Sequence, residues 1–460
     1  MNFSKKLWKH LSHCGNIVEI TVNSGPNGCD KMKYSFSRKE ISAGTEFCSI
    51  SAQGFKSSCV SVNFVLPLGE KASLYALIPS ILTRSSKEYP DLMSIVKKMA
   101  KLYGADLVAD VSKVGENQIL KISISYIDDR FALDNEVITA ECSRMLFELI
   151  FNPKVENGAF CASDVESEKR LLAERLYAEQ SDKRAYAKNK CEEIMFAEEA
   201  YGIHRLGDVE SIQKITPEAL YEAYKEILRI AKIVVCVSGN TDVNSISTIF
   251  ENGIAELERN VKINETLFVE KAEDIQYAKE QENVKQGKLV MGFRMGMKDA
   301  DDDYATRRVM VDLFGGSPHS KLFTIVREKM SLCYYCSARM VRAKGIMLVQ
   351  SGIESANEEK AKNAIIQQLE DIKNGSFTQE DIDASVKALE DSFKSVTDSP
   401  EALDSWFMSQ CVSGAYKYPE QFIEDFKRVT KEGIMKAAQE VTLDTVFMLE
   451  GTAEGGAEDE

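Results

Sequence analysis

The chain has 460 residues, of which 44% are hydrophobic and 28% are charged, a composition typical of a globular protein with more than one domain. The net charge of −15 argues against non-specific binding to nucleic acid, which requires a basic surface. No stretch of about 18 apolar residues predicts a membrane-spanning helix, and no apolar segment follows the basic start as it would in a signal peptide. We therefore expect a cytoplasmic protein in which the 11 scattered cysteines are mainly reduced thiols.

Residues 1–45 are interpreted as an N-terminal extension, in which only 17–22 alternates like a strand. Residues 46–240 are predicted to form a first domain of strands and helix groups. The predicted strands are 47–51, 58–66, 106–111, 117–126 and 233–237. The predicted helices are 72–85, 91–103, 131–151, 165–180, 186–196 and 217–230. Because strands and helices do not alternate one by one, this order favours an α+β sheet with helices on one face.

Residues 241–286 are interpreted as a linker with one helix at 245–257, and residues 287–460 are predicted to form a second domain. The second domain repeats features of the first. VNFV before LG (62–69) matches LVMGF before MG (289–296), and ITPE (215–218) matches VTKE (429–432). Buried-type strands close before Gly239 and before Gly451. Repeats separated by more than 200 residues predict two homologous domains that arose by duplication.

The segment 313–353 is predicted to form a loop, a helix and a β-hairpin. Ser317 and Pro318 suit a helix start, and apolar residues recur every four positions from Leu322 to Met330. A β-rich run follows, and the triplet 343–345 is predicted to turn the chain into a second strand at 346–353. This order places Arg327, late on the helix, and Tyr334, early on the strand, at one cleft.

Cys333 and Cys336 form a C-x-x-C pair in the first of these two strands. That spacing occurs in redox sites and in zinc half-sites. Residues three apart on a regular strand point to opposite faces, however, and the chain has no second C-x-x-C. We therefore interpret the two cysteines as structural.

Three segments resemble the pitrilysin/insulinase-like peptidases (inverzincins): GGSPHSKLFTIVREKMSLCYY (315–335), YGIHRLGDVESIQKITPEALYEAY (201–224) and VVCVSGN (234–240). The resemblance covers roughly residues 46–449. It implies two α+β domains, each a mostly antiparallel sheet with helices, which together form half of a clamshell around a closed chamber. Active members carry an H-x-x-E-H motif whose histidines bind zinc and whose glutamate is the general base, and a later glutamate completes the site.

This chain departs from the family motif at every metal position. SLYALIPSILTRSSKEYP (73–90) stands where the family has its zinc helix, so that Ala76 and Ser80 replace the histidines and Pro79 replaces the base. Arg175 replaces the later glutamate. Alanine has no lone pair, serine is a poor zinc ligand and arginine cannot accept coordination. We therefore expect this chain to bind no metal or cofactor and to be inactive on its own.

The resemblance implies that substrate-binding residues remain. REKMSLCYY (327–335) matches the family segment REK-x-GLAY, whose Arg and Tyr bind the substrate backbone and stabilise the oxyanion; the matching residues are Arg327 and Tyr334. His319 is placed at the edge of the same cleft. We therefore expect a non-catalytic subunit of a heterodimeric zinc metalloendopeptidase, which binds peptide substrate while an active partner chain supplies the zinc.

An alternative is a non-proteolytic scaffold or peptide-binding protein of the same fold, like the core subunits of respiratory complexes in this family. The sequence is also similar to bacterial non-catalytic members, including a group associated with 5-aminopentanol modification of elongation factor P. The segments 53–69 and 101–120 carry this second similarity. The peptide substrate and the partner remain open.

Overall fold

The computed structural model describes residues 18–20, 34–52, 54–133, 136–254, 257–414 and 416–452. Most of the predicted N-terminal extension, residues 1–17 and 21–33, lies outside the described residues. The described residues contain no helix that is both long enough and apolar enough to cross a bilayer.

Two sheets and a larger set of helices make up the described chain. The strands are β1 (Val18–Ile20), β2 (Tyr34–Ser42), β3 (Thr45–Ala52), β4 (Ser57–Pro67), β5 (Asp106–Val114), β6 (Asn117–Ile127), β7 (Lys232–Gly239), β8 (Gln276–Glu282), β9 (Gly287–Arg294), β10 (Cys333–Val341), β11 (Ile346–Ile353) and β12 (Thr442–Gly451). The helices are α1 (Ala72–Ala76), α2 (Ile78–Leu82), α3 (Leu92–Lys101), α4 (Ile138–Phe151), α5 (Ala162–Ser181), α6 (Lys183–Met195), α7 (Val209–Gln213), α8 (Pro217–Ile230), α9 (Val243–Ile254), α10 (Tyr304–Val311), α11 (Glu358–Lys373), α12 (Gln379–Lys394), α13 (Pro400–Ser409), α14 (Pro419–Phe426) and α15 (Lys431–Gln439). Two π-helical segments, Asp312–Gly316 and Leu322–Lys329, lie between α10 and β10.

The two sheets share one topology. The first has the order β1-β2-β3-β7-β4-β6-β5, and the second has the order β10-β11-β9-β12-β8. The run β3-β7-β4-β6-β5 therefore corresponds strand by strand to β8-β12-β9-β11-β10. In both runs the first pair is parallel, β3 with β7 and β8 with β12, and the other pairs are antiparallel. This shared order confirms the predicted α+β fold of two homologous, mostly antiparallel sheets.

The local repeats seen in the sequence have the same structure in both halves. Thr216 caps α8 by accepting a hydrogen bond from the backbone N–H of Ala219 at 3.2 Å. Thr430 caps α15 in the same way, with the N–H of Gly433 at 3.1 Å. A threonine hydroxyl satisfies one of the free donors at a helix start, so each helix begins at the same point of its repeat.

The chain divides into two compact units, each assembled from separated segments. The first comprises the described residues of Met1–Ala173, Arg205–Asn264 and Thr397–Gly414. The second comprises those of Glu174–His204, Glu265–Val396 and Ala415–Glu460. Within the predicted linker, α9 belongs to the first unit and β8 to the second sheet. Strand β8 was not predicted, because its sequence QYAKEQE is charged and has no apolar face. The domain boundaries at 46, 240 and 286 stay predictions.

In the first unit, helices cover both faces of the sheet. Burial raises the pKa of Tyr126 on β6, and Thr139 of α4 is among the groups near its hydroxyl, which places α4 on that face. Lys121, an odd number of residues away on the same strand, pairs instead with Asp404 of α13. Helix α13 therefore lies on the face opposite α4, in addition to the predicted helical layer.

The second unit has a corresponding extra helix, α6. Val290 of β9 and Phe447 of β12 pack with Ala187 and Cys191 of this helix in one fully buried cluster. The opposite face receives the π-helical segments: a Cβ atom on Gly315 would lie 2.7 Å from the Cβ of Ala338 on β10. Only glycine allows this approach, so Gly315 fixes how closely the segment carrying the candidate site packs on the sheet.

Candidate functional site

The helix that carries Arg327 is a π-helix, not the α-helix that the four-residue spacing predicts. It begins at Leu322, so the predicted start at Ser317 and Pro318 is wrong; those residues lie in the preceding turn. At its end the N–H of Met330 donates to the carbonyl of Ile325, five residues back, at 2.8 Å. The wider turn rotates Met330 off the apolar face, so that it is 47% exposed.

Arg327 lies near the end of this π-helix and is half-buried. Its guanidinium stacks on the ring of Phe323, with 4.3 Å between the guanidinium carbon and the ring centroid. Among the described residues, no carboxylate pairs with Arg327 and no acceptor takes a hydrogen bond from it. The stacking fixes the side chain and leaves the N–H donors of the guanidinium free for an external acceptor.

Tyr334 is exposed by 54% and lies at a bulge in β10, the edge strand of the second sheet. Cys333 is opposite Ile353 on β11, and Tyr335 is opposite Gly352, so that Tyr334 is the extra residue. A bulge redirects a side chain away from the regular alternation of the strand. In the described part of the chain no hydrogen bond reaches the Tyr334 hydroxyl.

His319 lies in the turn before the π-helix and is exposed. Arg327, Tyr334 and His319 therefore come from one continuous segment of the second unit. The structure links Arg327 to the start of β10, because its charge contributes to lowering the pKa of Cys333, the residue before Tyr334. It gives no such link to His319, and substrate-binding roles for all three residues stay predictions.

The expectation that Cys333 and Cys336 point to opposite faces is wrong. Cys333 is opposite Ile353, and Cys336 is opposite Ser351. Ile353 and Ser351 are two apart on β11 and share a face, so their partners on β10 share that face as well. The bulge at Tyr334 restores the shared face by adding one residue between the two thiols. Periodicity alone gave no sign of it, since a bulge leaves no compositional mark.

The residues at the positions of the family zinc motif do not form a metal-binding site. Ala76 is the last residue of α1 and is 2% exposed, and Pro79 is buried near the start of α2. Ser80 follows Pro79 on α2 and is half-buried. The motif helix of the family is thus divided here into two short helices, and Pro79 lies at the N-terminal end of the second, where proline is tolerated.

Arg175, in place of the family glutamate, is an exposed residue of α5 whose side chain lies 3.8 Å from the Glu179 carboxylate on the same helix. Within the described ranges, no three His, Cys, Asp or Glu side chains lie close enough together to hold a metal ion. The donor set at Ala76, Pro79, Ser80 and Arg175 therefore cannot replace the zinc ligands of the family.

An ion pair lies one turn beyond Ser80. Arg84 donates to the Glu168 carboxylate of α5 at 2.7 Å, and both side chains are largely buried. Burial raises the pKa of Glu168, and Arg84 opposes that rise. The pair connects the end of α2 to α5 within the first unit. Sequence analysis missed it, although a lone arginine after the degenerate motif and acidic residues on α5 were visible.

A second missed feature is a buried charge network under the β10–β11 turn. Lys344 is fully buried, and its ammonium contacts the Glu199 carboxylate at 2.7 Å and the Leu267 carbonyl at 2.6 Å. Arg294 donates to Asp444 at 2.7 Å and to Glu199 at 3.3 Å. The predicted turn at 343–345 is confirmed, with Gly345 at a φ of 61°, but the turn was not expected to bury its lysine.

Comparison with known proteins places these features in a family. Residues 214–389 match the family model described as "Peptidase M16 inactive domain". The probable inactive metalloprotease YmfF of Bacillus subtilis (strain 168) is 30% identical over 422 residues, which are 92% of this chain and 99% of that protein. The non-peptidase homolog YmxG of Helicobacter pylori (strain ATCC 700392 / 26695) is 24% identical over 276 residues, 59% of this chain and 60% of that protein. The crystal structure of a conserved protein from Enterococcus faecalis V583 matches with a TM-score of 0.84 and 26% identity, over 91% of this chain and 99% of its own.

Proposed function

Because this chain belongs to the M16 peptidase family and is a non-catalytic member of it, we propose that it is the substrate-binding subunit of a two-chain zinc endopeptidase. In this proposal, a partner chain with an intact H-x-x-E-H motif holds the zinc that activates water. This chain contributes Arg327 and Tyr334, which hold the peptide. The expected cytoplasmic location and the link to modification of elongation factor P remain predictions.

The observation that carries the proposal is the contrast between the two sets of residues. The metal positions carry alanine, proline, serine and arginine, which do not make up a zinc site, whereas Arg327 and Tyr334 have free hydrogen-bond donors among the described residues. Arg327 is held by Phe323 rather than by a carboxylate, and Tyr334 is directed by a bulge on an edge strand. A fixed guanidinium and a neutral phenol suit the carbonyl oxygens of an extended peptide and the charge that develops on one of them during hydrolysis.

The test is co-expression with an M16 chain that carries H-x-x-E-H, followed by zinc analysis and a peptide-cleavage assay. The complex should contain one zinc per pair and cleave peptides, while this chain alone should do neither. Arg327→Ala should lower kcat/KM by about 100-fold and Tyr334→Phe by about 10-fold, as expected when a transition-state donor is removed.

Matched controls separate this role from a general disturbance of the site. Arg339→Ala removes an exposed arginine from β10, the strand that carries Tyr334, and Tyr277→Phe changes an exposed tyrosine on β8. Neither substitution should alter the rate of peptide cleavage. Full activity of Arg327→Ala in the zinc-loaded complex would refute the substrate-binding role. A stable complex without zinc and without cleavage would favour the scaffold alternative.

A further inference from the structure

The two thiols of the C-x-x-C pair lie on one face of β10, the face that packs against the π-helical segments. Ala338, two residues beyond Cys336, points to the same side and meets Gly315 there. Ser337, on the alternate position, instead faces Arg184 of α6 at 3.5 Å. Cys333 and Cys336 therefore share the space between the sheet and the helix of Arg327.

The spacing of the two cysteines is that of neighbouring same-face positions. Their partners on β11, Ile353 and Ser351, are two residues apart, which corresponds to a rise of roughly 6.6 Å along a strand. A disulfide spans Cα separations of about 4.4 to 6.8 Å. This spacing and the hydrogen bond between the two thiols put the pair within reach of a disulfide.

The two thiols have unequal environments. Cys333 is half-buried, whereas Cys336 is only 3% exposed. The hydrogen bond with Cys336 lowers the pKa of Cys333 to about 7, against the effect of burial, and Ser351 and the charge of Arg327 contribute in the same direction. The same hydrogen bond and burial raise the pKa of Cys336. By contrast, burial raises the pKa of the six other cysteines that are buried in the described part of the chain, Cys48, Cys59, Cys142, Cys191, Cys236 and Cys411.

We propose that Cys333 and Cys336 form a reversible thiol–disulfide pair, in which Cys333 is the accessible nucleophile, Cys336 is the resolving thiol, and low-molecular-weight disulfides are the reaction partners. The bulge at Tyr334 brings the two sulfurs to one face, and Arg327 stabilises the thiolate that attacks.

The reaction balances with such a disulfide as the oxidant. The Cys333 thiolate attacks one sulfur of the small disulfide, and the S–S bond of that molecule breaks to release a thiolate, which takes up a proton. Cys336 then loses its proton and attacks the Cys333 sulfur, which forms the internal disulfide and releases the second small thiol. The two cysteines lose two electrons and two protons in total, and the oxidant gains both as two thiols.

A disulfide here would tie together the residues on both sides of Tyr334 and would remove the negative charge near Arg327. As far as it concerns peptide binding, this consequence rests on the proposed function. The oxidised chain should bind peptide less well in the two-chain complex, because the bulge can no longer adjust to a bound strand.

The test uses the reduced full-length chain, glutathione disulfide and peptide mapping by mass spectrometry. Wild type should form the Cys333–Cys336 disulfide, and dithiothreitol should reverse it. Cys336→Ser should instead keep a glutathione adduct on Cys333, since no resolving thiol remains, and Cys336→Ala should do the same if serine is poorly tolerated in the buried site. At pH 7 Cys333 should react about ten-fold faster than the exposed Cys161, which serves as the internal reference.

Two outcomes would overturn the proposal: Cys333 reacting no faster than Cys161, or a stable glutathione adduct on Cys333 in wild type. Neither readout needs a partner chain, so a failure here is distinct from a failure of the proposed function. In the two-chain complex, a peptide-cleavage rate that falls on oxidation of wild type but not of Cys333→Ser would connect the redox pair to the proposed function.

Discussion

Ser331, two residues after the last residue of the π-helix of the candidate site, has a left-handed backbone conformation with a φ of 51°. The family motif REK-x-GLAY has glycine at this position, and only glycine takes this conformation without steric cost. The Oγ of Ser331 compensates weakly, through a 3.3 Å hydrogen bond to the carbonyl of Glu328. We expect Ser331→Gly to raise the free energy of unfolding by about 1 kcal/mol, as measured by urea denaturation.

The matched control for this change is Ser337→Gly, six residues along in β10, where the backbone is extended. At that position glycine only increases the conformational entropy of the unfolded chain. The same substitution should therefore lower the free energy of unfolding by about 0.5–1 kcal/mol. Opposite signs at the two sites would show that backbone strain at Ser331 is real. Destabilisation at both would refute the prediction.

The pKa of the Cys333 thiol should lie well below that of an ordinary cysteine. Its pKa of about 7 means that the thiolate predominates above that pH, so alkylation by iodoacetamide should rise to its plateau as the pH passes through 7. Because Cys336, Ser351 and Arg327 all favour the thiolate, Arg327→Met should move the midpoint upward. The measurement is the pH profile of alkylation at Cys333, with Cys161 in the same sample as reference. An unchanged midpoint in Arg327→Met would mean that the hydrogen bonds alone set the pKa.

At the scale of elements, helix α13 is held on the first sheet by a buried charge. Asp404 is fully buried, accepts a hydrogen bond from Ser61 at 2.7 Å and pairs with Lys121 of β6. Burial acts to lower the pKa of Lys121, the Asp404 carboxylate acts to raise it, and the net shift is upward. Since a raised lysine pKa stabilises the fold below the unfolded value near 10, the whole contribution is present at neutral pH and is lost only in strong alkali.

Lys121→Met should therefore leave Asp404 buried without a counter-charge and lower the free energy of unfolding by about 3 kcal/mol. Fluorescence of Trp406, which lies on α13 itself, reports the loss when Trp8→Phe removes the only other tryptophan. Lys225→Met is the control, since Lys225 pairs with Glu222 on the exposed side of α8 and should change stability by less than about 0.5 kcal/mol. Equal effects of the two changes would contradict the prediction.

Sequence patterns predicted the elements whose signal is local. The β10–β11 hairpin, the matching segments at the starts of α8 and α15 and the strands that end at Gly239 and Gly451 follow from apolar runs, turn glycines and the repeat. The bulge at Tyr334 and the π-helix of Arg327 were missed, because each depends on one residue of register that only packing decides. The strand order of the segment that carries the candidate site was thus predicted, but the geometry of that segment was not.

At the scale of the whole molecule, sequence order does not show which sheet a helix covers. Helix α6 lies in the first half of the chain but packs in the second unit, and α13 lies in the second half but packs in the first. An apolar face shows that a helix is covered, but it does not identify the covering surface. The duplication was therefore visible from sequence, whereas this exchange of one helix between repeats was not.

The exchange predicts that the second half cannot fold from its own sequence alone. A fragment of residues 265–460 lacks Glu199, which pairs with the buried Lys344 and Arg294, and lacks the α6 residues that cover Val290 and Phe447. Two buried cations would lose a shared carboxylate, and an apolar sheet face would meet water.

A fragment of residues 174–460 contains both missing parts. We expect the longer fragment to unfold cooperatively in urea and to show a near-ultraviolet circular dichroism signal from packed aromatic rings, whereas the shorter fragment should show neither. Glu199→Ala in the longer fragment should lower its unfolding midpoint, which separates the contribution of the charge from that of the apolar cover. Cooperative unfolding of residues 265–460 at the same urea concentration as residues 174–460 would show that α6 only rests on the second unit and is not part of it.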